Sequence, residues 1–277
     1  MVHLGGIVME NRLFLVEGLP CSGKSTTSKY IKETLDRQGK KVIWVDEGTG
    51  NHPADYEFQS YLTKEDLKTF DSHEQEMILQ AASPKNEGYI VELGKIQGAL
   101  FDKVLQYKIY DFLSWDVEKE LMLDKWKNFV EDADKETIYV FNCCFLQNPM
   151  CETMMRFNQD IDESKAYINE ILEIIAPMKP VCIYLQNEKI EEKIKVTLEE
   201  RGKDWLEGVI QYHTEGAYGK AQGLKGFEGY VACLEERQRR EVKILQKLNI
   251  RQLIIPNASS NWEETYNRIE SFIHDLD

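Results

Sequence analysis

Eight consecutive residues, Gly18-Leu19-Pro20-Cys21-Ser22-Gly23-Lys24-Ser25, constrain this chain more than anything else in it. They fit the pattern G-x-x-x-x-G-K-[ST], a phosphate-binding loop set between a strand and a helix. The glycines permit backbone angles closed to other residues, so successive N–H groups can face phosphate oxygens. A helix opening at Gly23–Lys24 adds the positive end of its dipole, roughly half a charge. Lys24 brings a point charge to the β- and γ-phosphates, and the Ser25 hydroxyl is a ligand for Mg²⁺. Gly18, Cys21, Ser22, Gly23, Lys24, Ser25 and Thr26 are therefore the candidate nucleotide-binding residues.

The flanking sequence supplies the context this loop needs. LFLVEG (Leu13–Gly18) reads as a short buried strand. Lys24–Arg37 has helical spacing, with Tyr30, Ile31 and Leu35 on one side, and Gly39 ends it. KVIWVDEG (Lys41–Gly48) is a second buried strand, which closes a βαβ unit and implies a parallel sheet. Thr137–Leu146, Pro180–Leu185 and Arg251–Asn257 repeat the strand pattern, each followed by a helical stretch: Cys151–Ile175, Glu188–Arg201 and Trp262–Leu276. Five strands alternating with helices predict a doubly wound α/β fold, three layers α/β/α around a five-stranded parallel sheet. Residues 84–115, with alternating apolar positions and glycines, read as an insertion with a β-hairpin ahead of a helix at Val117–Val130. Residues 200–230, rich in Gly, Lys and aromatics, have the composition of a mobile lid. Residues 1–277 are accordingly expected to form a single domain with insertions.

Charge and cysteine usage exclude several partner classes. Lys+Arg number 34 against 48 Asp+Glu, a formal net charge of −14, so a basic nucleic-acid-binding face is not expected. The six cysteines form no CxxC pair and the five histidines are scattered, which predicts reduced thiols and no zinc site. No apolar run approaches a bilayer span, and MVHLGGIVMENR lacks the basic start and long apolar core of a signal peptide. A cytoplasmic protein without a membrane partner is the expectation. Met9 offers a second start, which would make the first eight residues an upstream extension.

VEGLPCSGKSTT resembles the P-loop of the nucleoside and nucleotide kinases (thymidylate kinases and deoxynucleoside kinases), where an acidic residue also precedes the first glycine. The resemblance spans most of the chain in layout and is specific, at motif level, around the P-loop. It implies a P-loop NTPase fold of nucleotide-kinase type, with ATP and Mg²⁺ as cofactors. The reaction it implies is transfer of the γ-phosphoryl group to a hydroxyl or phosphate of a small nucleoside-like or other metabolite. In that group the second strand ends in a carboxylate facing the acceptor, the place held here by Asp46-Glu47-Gly48. Asp46 or Glu47 would orient or deprotonate an attacking hydroxyl, and Asp46 joins Ser25 as a metal-ligand candidate.

Relatives also carry an acid and an arginine after the next strand. Asn142-Cys143-Cys144-Phe145-Leu146-Gln147-Asn148-Pro149 has no acid, a departure that weakens the expectation of thymidylate kinase activity. Asn142, Gln147 or Asn148 can hydrogen-bond substrate there, and Arg156 further on would supply the positive charge. The resemblance puts a basic lid after PVCIYL, which makes Arg201 a catalytic candidate and Lys203 a substrate-binding one, with Lys220 and Lys225 following. It also passes Pro256-Asn257-Ala258-Ser259 beside the adenine, which adds Asn257 to the nucleotide site. His52, in GTGNHPADY, would contact substrate or shape its turn. A regulatory nucleotide-binding protein or NTPase without a small-molecule acceptor is the alternative reading. The oligomeric state stays open: relatives dimerise through helices, but no self-complementary face is legible.

Overall fold

The computed structural model describes residues 10–276, and the proposed upstream extension before Met9 lies outside them. The chain divides into two compact units, one running to Glu47 and resuming at Val130, the other Gly48–Phe129.

The larger unit has a three-layer α/β/α P-loop NTPase fold. Its strands β1 (Leu13–Gly18) and β2 (Lys41–Val45) flank the helix Lys24–Arg37, as the spacing predicts. The smaller unit contributes β3 (Gln59–Thr63), β4 (Ala82–Lys85) and β5 (Gly88–Glu92), paired antiparallel in the order β3-β5-β4. The chain then returns for β6 (Thr137–Asn142), β7 (Val181–Gln186) and β8 (Arg251–Pro256), giving a parallel sheet ordered β2-β6-β1-β7-β8. The five strands thus fall where the sequence predicts them, but β2, expected to be buried, lies at the sheet edge with Lys41 and Ile43 exposed.

Alternation along the strands decides which helix covers which face. Phe14, Val16, Ile183 and Leu185 pack with Ile31 and Leu35 of the first helix and with Ile269 and Ile273 of the helix Trp262–His274. Tyr184 points the other way, and its hydroxyl donates to Glu241 Oε2 at 2.6 Å on the helix Gly226–Leu245. Glu241 pairs with Arg237 at 3.1 Å, and both are almost without exposure. Burying such a pair is costly unless both members stay matched.

Three expectations need adjustment. The insertion expected at 84–115 is part of a larger unit, Gly48–Phe129. That unit has its own apolar cluster, including Leu62, Ile78, Val91 and Val104. Its hairpin, β4–β5, begins at Ala82, and the helix expected at Val117–Val130 runs Trp115–Asp132. The stretch expected as one helix, Cys151–Ile175, is two: a π-helical segment Cys151–Arg156, then Ile161–Ile175. Asn158 at φ 51 breaks the run, and Asp160 caps the second helix by accepting from the Asp162 and Glu163 amides. Residues 200–230, read from composition as a mobile lid, are largely helical, chiefly Lys203–Thr214, Ala217–Ala221 and the start of Gly226–Leu245. Glycine serves close approach there: a Cβ on Gly219 would stand 2.6 Å from the His213 carbonyl oxygen.

Candidate functional site

The phosphate loop begins where fully buried β1 ends. Gly18 has φ +145°, and a Cβ on it would lie 2.5 Å from the Leu185 carbonyl oxygen and 2.8 Å from Ser22 Oγ. Cys21 takes φ 67° and Gly23 φ 94°, so the chain turns through left-handed angles before the helix starts at Lys24. No side chain caps that helix and no acid sits in its first turn, which leaves its dipole end open to an anion. The Lys24 ammonium, 8% exposed, donates to the Leu19 carbonyl at 2.8 Å inside the loop. Ser22 Oγ is buried without a hydrogen-bond partner. A cradle without room for a Cβ, an uncapped helix start and one buried ammonium fit a polyphosphate.

The two carboxylates after β2 face different partners. Asp46 Oδ1 accepts from Ser25 Oγ at 3.2 Å and from Asn142 Nδ2 at 2.6 Å. Ser25 and Asp46 therefore place a hydroxyl and a carboxylate side by side at the start of the loop helix. Hard oxygens of this kind suit Mg²⁺, which takes one or two protein oxygens and completes its shell with phosphate and water. Among the described residues no group of three or more His, Cys, Asp or Glu forms an all-protein metal cage. Glu47 has different partners: its Oε2 accepts from the Cys143 thiol at 3.0 Å and its Oε1 from Gln147 Nε2 at 3.2 Å. Burial pushes the Cys143 thiol well up, which keeps the proton it donates on sulfur. Asn142 Oδ1 and Gln147 Oε1 remain buried without hydrogen-bond partners.

The remaining candidates sit as follows. Arg201 ends the helix Ile190–Arg201 with its guanidinium 5.4 Å over the Trp205 ring. Lys203 is exposed and opens the next helix. Tyr230, raised by burial, also feels both Cys21 of the loop and Arg201, which brings this end of the helix into the loop's electrostatic neighbourhood. Leu19, without exposure, packs in one apolar cluster with Ile190, Ile194, Tyr230 and Leu234, so the expected lid helices are seated on the loop itself. Arg156 is engaged by Glu152 at 2.8 Å and lies 4.5 Å over the Phe157 ring. Asn257, at φ 49°, joins the ends of two strands: its Oδ1 accepts the Glu188 amide at 3.0 Å and its own amide donates to Gln186 O at 2.7 Å. His52 belongs to the smaller unit, where Nδ1 accepts the Ala54 amide at 3.1 Å; burial lowers its pKa to about 4. That is the turn-shaping arrangement.

Two residues escaped the sequence reading, Cys143 and Glu17. Cys143 looks like one more apolar-run cysteine. Glu17 is an acid at the end of an apolar strand, and the resemblance places an acid before the first glycine without giving it a role. Its carboxylate, without exposure, accepts the amides of Phe145 at 2.7 Å and Gln147 at 3.0 Å.

Comparison with known proteins agrees with this geometry at a coarse level. The family described as chromatin associated protein KTI12 matches residues 12–83. A thymidylate kinase of Brachyspira hyodysenteriae (strain ATCC 49526 / WA1) is 25% identical over 193 residues, which cover 67% of this chain and 90% of that protein. Among the described residues no helix is long and apolar enough to cross a membrane. The fold and the two matches together support a P-loop kinase group for the chain and single out no member of it.

Proposed function

We propose that the protein transfers the γ-phosphoryl group of ATP to a hydroxyl or phosphate of a compact metabolite. The observation that supports this best is the divergence of Asp46 and Glu47. One carboxylate accepts from Ser25 at the phosphate loop, and the other accepts from Cys143 and Gln147 of the turn after β6. Held in this way Glu47 can orient and deprotonate an attacking oxygen, which a transferase takes from its acceptor and a hydrolase from water.

In this reading the loop amides and Lys24 hold the β- and γ-phosphates, Lys24 leaving the Leu19 carbonyl to do so. Ser25 and Asp46 would hold Mg²⁺, which when bound draws off charge from the phosphate oxygens. Each Glu47 oxygen accepts one donor and keeps a lone pair for the acceptor. For a hydroxyl acceptor, its oxygen forms the new bond to Pγ while the bridging bond to the β-phosphate breaks and ADP leaves with the electron pair. The hydroxyl proton passes to Glu47. Arg201 and Lys203 would neutralise charge on the equatorial oxygens and help exclude water.

The test is ADP release from ATP and Mg²⁺ against a panel of nucleosides, nucleoside monophosphates and hydroxylated metabolites, with Lys24→Ala as the control. Release stimulated by one acceptor class and lost in the control supports transfer. The match of residues 12–83 to a chromatin-associated family favours a second reading, nucleotide hydrolysis coupled to a macromolecular partner. Acceptor-independent release would select it.

A further inference from the structure

Glu17 stands directly before Gly18 and so belongs to the donor side of the site by sequence. Its side chain serves the other side. One carboxylate oxygen accepts the Phe145 amide at 2.7 Å and the other the Gln147 amide at 3.0 Å, so both oxygens are spent on the turn that follows β6. Two main-chain bonds complete that turn: Cys143 N–H to Val16 O at 3.2 Å, and Asn148 N–H to Cys143 O at 3.0 Å. Cys143, at φ 69°, sends its thiol to one oxygen of Glu47, and Gln147 sends its side-chain amide to the other. The links are continuous: Glu17 carboxylate, turn main chain, Cys143 and Gln147 side chains, Glu47 carboxylate.

We propose that Glu17 is a positioning residue of the candidate site: it anchors the turn after β6 to the base of the phosphate loop and thereby sets where the Glu47 carboxylate stands. The functional meaning of that placement rests on the phosphotransfer reading of Glu47.

Stability alone does not call for an acid at this position. A buried carboxylate carries a large desolvation cost, and an apolar side chain in its place would avoid it. Two charge-assisted bonds to amides offset part of the cost and fix the turn as no hydrocarbon can. The groups around it come from every packed element: Glu241 on the helix Gly226–Leu245 repels it and Lys24 on the loop helix attracts it. Cys143 on the turn, and Cys182 and Tyr184 on β7, feel its charge, while Arg237 is matched with Glu241. Burial outweighs the amide bonds and Lys24, and holds Glu17 up at about 7. A protonated carboxyl keeps one good acceptor oxygen, so one of the two amides loses strength as the proton arrives.

The experiment is a pH titration of the protein followed by the backbone amide resonances of Phe145 and Gln147 and the side-chain amide of Gln147. All three are expected to move together with a midpoint near 7 in the wild type. In Glu17→Gln the shared titration should vanish and the Gln147 side-chain resonance should leave its wild-type position. If the variant does not fold, the wild-type titration decides alone. Amides that do not titrate together overturn the proposal, as does a Gln147 side chain indifferent to Glu17→Gln. A wild-type protein that releases no ADP with thymidine, thymidine monophosphate or ribose would count against phosphotransfer to these acceptors, while the amides would still report on Glu17.

Discussion

Asp46 and Glu47 are neighbours in sequence with different hydrogen-bond partners, so their substitutions should fail differently. Glu47→Gln keeps the shape but removes the proton acceptor. Its acceptor-dependent turnover should fall by about 10²-fold or more, with affinity for an ATP analogue unchanged. Asp46→Asn loses a charged oxygen beside Ser25 and should shift the Mg²⁺ dependence of nucleotide binding to higher concentration, read by calorimetry across a Mg²⁺ series. Arg201→Ala should cost about 3 kcal/mol in transition-state stabilisation if its guanidinium meets the transferring group. Unchanged turnover would remove Arg201 from the site. The strand, turn and helix start of the phosphate loop were legible because the glycines mark the turn and the apolar run before them marks the strand. The different partners of Asp46 and Glu47 were not, because they come from Asn142, Cys143 and Gln147, about a hundred residues further along the chain.

At the scale of elements, the loop and the last helix are fitted to each other. A Cβ on Gly23 would stand 2.5 Å from the Trp262 ring, and Gly23 has φ +94°. Gly23→Ala therefore meets both a steric overlap and a left-handed strain of about 1–3 kcal/mol. Thermal unfolding should show the loss. Adding Trp262→Ala should recover only the steric part, since the backbone angle is unchanged. The five parallel strands were legible because each is a compact apolar run beside a turn signal, whereas β3, QSYLT, is too mixed in polarity to read as one. The helices of residues 200–230 were not, because glycine at a tight crossing and glycine in a mobile loop look alike in composition. The break after Arg156 was hidden in the same way: Asn158 carries the left-handed turn and Asp160 the cap, inside a run whose apolar spacing continues on both sides.

For the whole molecule, buried titratable groups set how the two units respond to acid. His52 in the unit Gly48–Phe129 and His213 in the other are each lowered to about 4 by burial. A histidine held neutral in the fold gives stability above its ordinary pKa and loses it as pH falls from 6.5 toward 4. Glu17 has the opposite sign. Raised from 4.5 to about 7, it is protonated more readily when folded, so acidification from 7 toward 4.5 restores stability. Either kind of shift is worth about 3 kcal/mol at full extent. The larger unit holds His213 and Glu17, whose effects oppose, whereas His52 in the smaller unit has no such counterweight among these three. Hydrogen exchange, corrected for intrinsic rates, should show Gly48–Phe129 losing protection before the rest between pH 7 and pH 5. Equal loss in both units would reject this accounting. That the insertion is a unit with its own cluster was invisible in sequence, because its early part, GTGNHPADYEF, carries the turn residues of an ordinary loop.

The central claim is that main-chain amides from Gly18 to Ser25, with the Lys24 ammonium, grip a triphosphate. Calorimetric titration of the wild-type protein and Lys24→Ala with a non-hydrolysable ATP analogue and Mg²⁺ tests it most directly. The account predicts saturable binding to the wild type and none measurable to Lys24→Ala, with circular dichroism showing both folded. No binding to the wild type, or equal binding to both, would contradict it.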